Sequence, residues 1–119
     1  MIKGVGVDLV DVQRFVDHLA KTPGLGERLL TDAERVGAPN SLAGRFAAKE
    51  AFIKAVGNAA GMNWREVEVT YDAAGRPSLL VSGATQTIVE AAGIERFHLS
   101  ISHDGGFAIA YVIAEGGAA

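Results

Sequence analysis

The stretch "SLAGRFAAKEAFIKAV", residues 41–56, followed by Gly57, constrains this chain most. Leu42, Phe46, Ile53 and Val56 recur at helical spacing, with Lys49 at the margin of that stripe. Asn40 or Ser41 is placed to cap the start, and Gly57 to stop the end. One long helix over about 41–56 needs an apolar partner, and the flanking segments supply strands. Residues 2–9, overlapping "GVGVDLVDV" at 4–12, read as a buried strand with Asp8 among apolar neighbours. Residues 11–21 read as a helix on Val12, Phe15, Val16 and Leu19, with Asp11 as cap. Residues 26–35 suit one or two short helical turns. Residues 65–71 and 78–82 form a hairpin across "DAAGRP", with Val67, Val69 and Tyr71 on one face of its first strand. Residues 84–92 read as a short helix ended by Gly93. Residues 96–102 and 107–114 form a second hairpin, whose Asp-Gly pair in "HDGG" is its turn signal. The predicted class is α+β: one long helix and shorter helices packed on a small, mostly antiparallel sheet.

A chain of 119 residues with 49% hydrophobic content suits one domain with a real core, spanning 1–119. The "EGGAA" end is expected to fray. The chain holds no cysteine, which excludes disulfides and thiolate chemistry, and its three histidines are too scattered for structural zinc. No basic and apolar leader precedes the first strand, and no apolar run reaches membrane-spanning length, so a cytoplasmic protein without membrane contact is expected. A net charge of −3 argues against general nucleic-acid binding. Seven of the 11 basic residues nevertheless fall within 14–54, where an anionic ligand or partner would be met.

Three groups could carry chemistry. Glu50 and Lys54 are four apart and share a helix face, with Arg45 and Lys49 four apart on the next. The plain reading is a solvated ion pair. The functional one is a metal-binding carboxylate with a lysine one turn on, meeting phosphate or accepting a proton. In "HLSISHDGG", Ser102 and His103 sit beside a glycine turn. Either His103 is a strand end satisfied by backbone, or serine, imidazole and backbone N–H hold phosphate. Adjacent on a strand, they face opposite sides, so a Ser-His-Asp nucleophile is poorly supported. Arg14, His18 and Lys21 lie on one helix face, as its solvent side or as a docking ridge for an acidic helix. Gly75 and Pro77 read as turn residues without chemistry, and Trp64 and Met62 as packing.

"GVGVDLVDVQRF", "RFAAKEAFIKAVG" and "LSISHDGGFAIAYVIAE", with "GRPSLLVSG" between the last two, occur in this order over nearly the whole chain. Together they resemble the holo-acyl-carrier-protein synthases, the small bacterial 4′-phosphopantetheinyl transferases. That resemblance implies transfer of the phosphopantetheine arm of coenzyme A to a serine of apo acyl carrier protein, releasing adenosine 3′,5′-bisphosphate, in fatty-acid synthesis. It implies Mg2+ held by Asp8 and Glu50, with Lys54 near the pyrophosphate and the reacting hydroxyl. Arg45, Lys49, Ser102 and His103 fall where the family meets coenzyme A. Arg14 matches an arginine that meets the carrier protein, and His18 and Lys21 extend its ridge. The resemblance also implies a homotrimer with active sites between subunits. Position 10 is valine where larger relatives carry a further acid, so water is expected in that coordination place. The general base stays open between Glu50, Lys54 and a metal-bound water. The rival readings are a non-catalytic subunit binding coenzyme A or nucleotide, and a structural assembly domain.

Overall fold

A computed structural model describes residues 1–117. Strand β1 (Ile2–Asp11) leads into helices α1 (Val12–Lys21) and α2 (Leu25–Leu29), and then into the long helix α3 (Pro39–Val56). A 3₁₀ turn at Trp64–Glu66 opens a hairpin of β2 (Val67–Tyr71) and β3 (Pro77–Val81). Helix α4 (Gly83–Ala91) joins it to a second hairpin, β4 (Arg96–Asp104) and β5 (Phe107–Glu115). β1, β5 and β4 form a three-stranded antiparallel sheet in that order, and β2 and β3 form a separate antiparallel pair. This is the expected α+β arrangement.

Two ends differ from expectation. α3 starts at Pro39, not Ser41, with Ala38 as N-cap and no side-chain cap. Proline suits that first turn because its missing N–H would be unpaired there anyway. The second hairpin turns on Gly105 and Gly106, both at positive φ, rather than on Asp104-Gly105; Asp104 is the last paired residue, opposite Phe107. A two-residue turn with positive φ at both positions matches the twist of the strands it joins. Asp11 caps α1 as expected, its Oδ1 accepting the Arg14 N–H at 3.0 Å. The tail is tied rather than frayed as far as it is described. Gly116 N–H donates to the Met1 carbonyl at 2.9 Å, and Gly117 N–H to Glu95 Oε1 at 2.8 Å. The last two residues of "EGGAA" lie outside the described residues.

The apolar stripe expected on α3 is not its buried face. Ala43, Gly44, Ala47, Ala48, Lys49, Ala51, Phe52 and Ala55 are the buried residues. Leu42, Phe46, Ile53 and Val56 are only partly covered. The helix is wrapped by the three-stranded sheet on one side and by β2 and the 3₁₀ turn on another, so one 3.6-residue stripe does not describe it. Its contact with β1 is backbone against backbone. A Cβ at Gly6 would run into the Ala51 carbonyl, and one at Gly4 into that of Ala55.

That close approach reverses the reading of β1. Gly4, Gly6, Asp8 and Val10 face α3, and Val5, Val7 and Leu9 face out and are exposed. Asp8 therefore lies among small residues, not in an apolar wall. β5 repeats the pattern. Ala108, Ala110, Val112 and Ala114 are buried, while Phe107, Ile109 and Tyr111 are exposed. On β2, Val67 and Val69 are buried but Tyr71 is exposed.

Candidate active site

The tight β1–α3 contact brings residues 42 positions apart into one cleft. Its volume is about 480 Å³, and Asp8, Asp11, Arg14, His18, Phe46 and Glu50 lie in its wall. Lys54 Nζ donates to the Val7 carbonyl at 2.9 Å and to Asp8 Oδ1 at 3.3 Å. The lysine thus crosses from helix to strand, and no ion pair with Glu50 one turn earlier forms among the described residues. The Asp8 side chain is 18% exposed and that of Lys54 54%. Burial lifts the Glu50 carboxyl above the usual range, the charge of Asp8 lifts it further, and Lys54 opposes both. A carboxylate whose ionisation is opposed by a neighbouring carboxylate attracts a cation.

The donor set decides which cation fits. Among the described residues no three His, Cys, Asp or Glu side chains gather at one point. Two carboxylates in an open cleft match a hard ion that takes oxygen ligands and keeps several waters, which is the habit of Mg2+.

A second groove, about 440 Å³, opens further along α3 between Ser41, Arg45, Tyr71, Pro77, Ile101 and His103. Arg45 Nη1 donates to the carbonyls of Glu34 at 2.7 Å and Val36 at 2.6 Å, and Nε to the Tyr71 hydroxyl at 3.2 Å. Its Nη2 donors make no hydrogen bond among the described residues, so they can meet an anion. His103 packs its ring against Gly44, where a Cβ would press on Nε2. Gly75 and Pro77, read from sequence as turn residues without chemistry, also line this groove.

One expected ligand contact needs correction. Lys49 is fully buried and donates to Glu34 Oε1 at 2.5 Å, the Leu29 carbonyl at 2.7 Å and the Trp64 carbonyl at 2.9 Å. Its three protons are all engaged inside the core, so it cannot also touch a ligand. Ser102 stands on the outward face of the sheet beside Leu9, Phe107 and Ile109, in a hollow that His103 also borders, while the His103 ring packs against Gly44. The basic cluster is likewise partly internal, since Arg35 is held by the Leu30 carbonyl and Asp32.

On α1, Arg14 and His18 reach the cleft wall, while Lys21 lies outside it near the helix end. Phe15 and Phe46, which the sequence presents as core, also line the cleft, with ring centroids 4.9 Å apart. Phe46 stacks in turn on Trp64 at 5.7 Å. Asp11 and Tyr71 are further site residues that periodicity alone assigned to capping and packing.

Comparison with known proteins identifies the family. Residues 4–112 match the 4′-phosphopantetheinyl transferase superfamily. The holo-[acyl-carrier-protein] synthase of Clavibacter sepedonicus is 53% identical over 98% of each chain. A crystal structure of holo-[acyl-carrier-protein] synthase from Neisseria meningitidis superposes with a TM-score of 0.86 at 37% identity, covering 97% of this chain and 99% of that one. An ACPS–CoA complex from Chronobacterium ammoniagenes gives a TM-score of 0.82 at 34% identity over 97% and 98%. The chain therefore belongs to the 4′-phosphopantetheinyl transferase superfamily and is an enzyme of the transferase class.

Proposed function

We propose that the whole chain, 1–119, acts as one cytoplasmic, magnesium-dependent transferase that moves 4′-phosphopantetheine from coenzyme A to a serine of apo acyl carrier protein in fatty-acid biosynthesis. The observation that carries this reading is the meeting of Asp8 and Glu50 in one cleft, with Lys54 bonded to Asp8, in a chain whose relatives are named holo-[acyl-carrier-protein] synthases.

The serine Oγ attacks the β-phosphorus of coenzyme A. A new O–P bond forms, and the bond to the oxygen bridging to the α-phosphate breaks. Adenosine 3′,5′-bisphosphate leaves with the electron pair, and the serine proton passes to a base. Asp8 and Glu50 would hold Mg2+, which when bound offsets charge on the pyrophosphate oxygens. Lys54, fixed by the Val7 carbonyl and Asp8, adds positive charge at the same edge. The Glu50 carboxylate is the protein group placed to take the proton, while Lys54 stays a cation on Asp8.

Arg45 and His103 suit the anionic nucleotide end of coenzyme A, in the groove with Tyr71 and Pro77. Arg14, His18 and Lys21 suit an acidic carrier-protein helix beside the cleft. An Arg14→Glu exchange should raise the KM for carrier protein about tenfold and leave that for coenzyme A unchanged. Equal losses for both substrates would contradict the docking role.

A homotrimer fits the outward sheet face. Val5, Val7, Leu9, Phe107, Ile109 and Tyr111 expose 40–59% of their surface there, more apolar area than a solvated sheet face normally shows. Ser102 lies on that face and would reach coenzyme A only across a subunit boundary.

Mass spectrometry tests the activity. The protein, apo carrier protein, coenzyme A and Mg2+ should yield carrier protein carrying one phosphopantetheine, together with adenosine 3′,5′-bisphosphate. No addition with any divalent metal rejects the transferase reading. Coenzyme A that stabilises the fold without transfer would favour a binding subunit, and neither effect would leave an assembly domain.

A further inference from the structure

Glu34 and Lys49 are 1% and 0% exposed, and each side-chain nitrogen and oxygen of both has a hydrogen-bond partner. Lys49 directs its three protons to Glu34 and to the carbonyls of Leu29 and Trp64. Glu34 Oε1 also accepts the Thr31 N–H at 2.8 Å, and Oε2 the Val69 N–H at 2.8 Å. The Glu34 N–H returns to Thr31 Oγ1 at 3.3 Å. One buried pair thus ties α3, the 29–34 segment, the 3₁₀ turn and β2 at a single point.

Stability alone is a weak reason for such a pair. Two charges lose their hydration on burial, and an apolar pair of similar volume often serves a core as well or better. An apolar pair cannot, however, fix the direction of a loop's carbonyls. The loop held here is the one that holds Arg45. The Glu34 backbone carbonyl accepts from Arg45 Nη1 at 2.7 Å, and the Val36 carbonyl, two residues on, accepts at 2.6 Å. Arg45 and Lys49 are one helical turn apart on α3, so one segment grips two cations of the same helix. β2, anchored to Glu34 at Val69, ends at Tyr71, whose hydroxyl takes Arg45 Nε. All three acceptors on Arg45 are therefore set by the Glu34–Lys49 pair.

We propose that Glu34 and Lys49 are positioning residues for coenzyme A, holding the loop and strand that aim Arg45 into the groove beside His103. The inference rests on the transferase reading and on coenzyme A occupying that groove. The pair never touches substrate; it acts through the carbonyls of Glu34 and Val36 and the hydroxyl of Tyr71. An Arg45 that is no longer held loses its preset fork for phosphate, and the loss falls on coenzyme A binding.

The test is steady-state transfer by the full chain with coenzyme A varied at saturating carrier protein, alongside calorimetric binding of coenzyme A. The Glu34→Leu/Lys49→Met double variant keeps the core filled. It should raise both KM and Kd for coenzyme A about tenfold, with kcat within about twofold and the carrier-protein KM unchanged. Arg45→Ala should give a similar loss. Adding it to the double variant should cost little more, because both act through one guanidinium. Unchanged coenzyme A affinity in the double variant overturns the proposal, as does a triple variant whose losses multiply. Should the double variant fail to fold, Glu34→Gln, which keeps the shape, carries the same two comparisons. A parent that binds coenzyme A but does not transfer it breaks the transferase reading alone, since the Kd comparison still judges the pair. A parent that does neither overturns both.

Discussion

Asp8 is a costly residue to place. It is mostly covered, it faces a helix at backbone contact distance, and a second carboxyl lies in the same cleft. Lys54 offsets part of that cost, but Glu50 remains above its ordinary pKa through burial and the neighbouring charge. Asp8→Asn and Glu50→Gln should each lower transfer at least about 100-fold, since each removes a ligand of the proposed Mg2+. Neither should lower the melting temperature of the metal-free protein, because each removes a repulsive charge from the cleft. Mg2+ should raise the melting temperature of the parent and of neither variant. Melts with and without Mg2+, beside single-turnover transfer rates, check this; near-normal transfer by either variant removes that residue from the metal site. These carboxylates stand out in sequence because Asp8 interrupts a strand pattern and Glu50 shares a face with Lys54. Lys49 and Glu34 do not. A lysine amid alanines looks like a solvated margin until two flanking segments close over it, and its partner sits 15 positions earlier in a short turn.

At the scale of elements, the position of Asp8 depends on Gly6. Gly6→Ala must push β1 away from the Ala51 carbonyl, because backbone atoms and not a flexible side-chain end stand in the way. The cost should be about 3 kcal/mol in denaturant unfolding, with a loss of transfer that reflects Asp8, two residues on, drawn away from Lys54. A Gly6→Ala chain of parental stability would show that the contact relaxes freely. α4 depends on a carboxylate distant in sequence. Its N-cap, Ser82, makes no side-chain bond. Instead Glu66 accepts from Ala84 N–H at 3.2 Å, Thr85 N–H at 3.1 Å and Thr85 Oγ1 at 2.8 Å. Those bonds, with the hydroxyl of Thr85 first, hold the Glu66 carboxyl below its ordinary value of 4.5. A depressed folded pKa means that the folded state binds fewer protons, so this stabilisation is present above pH 4.5 and is lost as pH falls through the folded value. Glu66→Gln should therefore melt lower than the parent at neutral pH, and the gap should close under acid; a gap that holds constant with pH contradicts this. Helices and strands were legible because turns and glycines bracket them. The α4 cap was not, because its donor and acceptor lie on different elements.

For the whole molecule, the sheet carries its bulk on the wrong side for a lone subunit. Facing rows run His98–Ile113–Val5, Ser100–Tyr111–Val7 and Ser102–Ile109–Leu9 on the outward side. Inward rows such as Leu99–Val112–Gly6 and Ile101–Ala110–Asp8 carry the small residues that let α3 approach. Strand alternation in "GVGVDLVDV" and "FAIAYVIAE" is plain in the sequence, but size alone suggests the reverse assignment, with valine, isoleucine and tyrosine inside. The inward face is fixed by the glycine and alanine contact with α3, which only the paired elements reveal. Once that face is occupied, the outer apolar rows need a second cover, and the proposed homotrimer would supply it from copies of the same chain. Val7, at the centre of the outward rows, is 44% exposed in the single chain, so Val7→Glu leaves the folded protomer intact but places a charge in any interface built there. Burying an unpaired carboxylate costs several kcal/mol, enough to shift a micromolar assembly to free chains. Light scattering should find the parent at three times the 12.4 kDa chain mass and Val7→Glu at one, with unchanged far-ultraviolet circular dichroism. Transfer should fall with the assembly, because Ser102 would lose the neighbouring site it faces. A parent that runs as a single chain at micromolar concentration, or a Val7→Glu protein that stays assembled, would mean that this face serves some other cover.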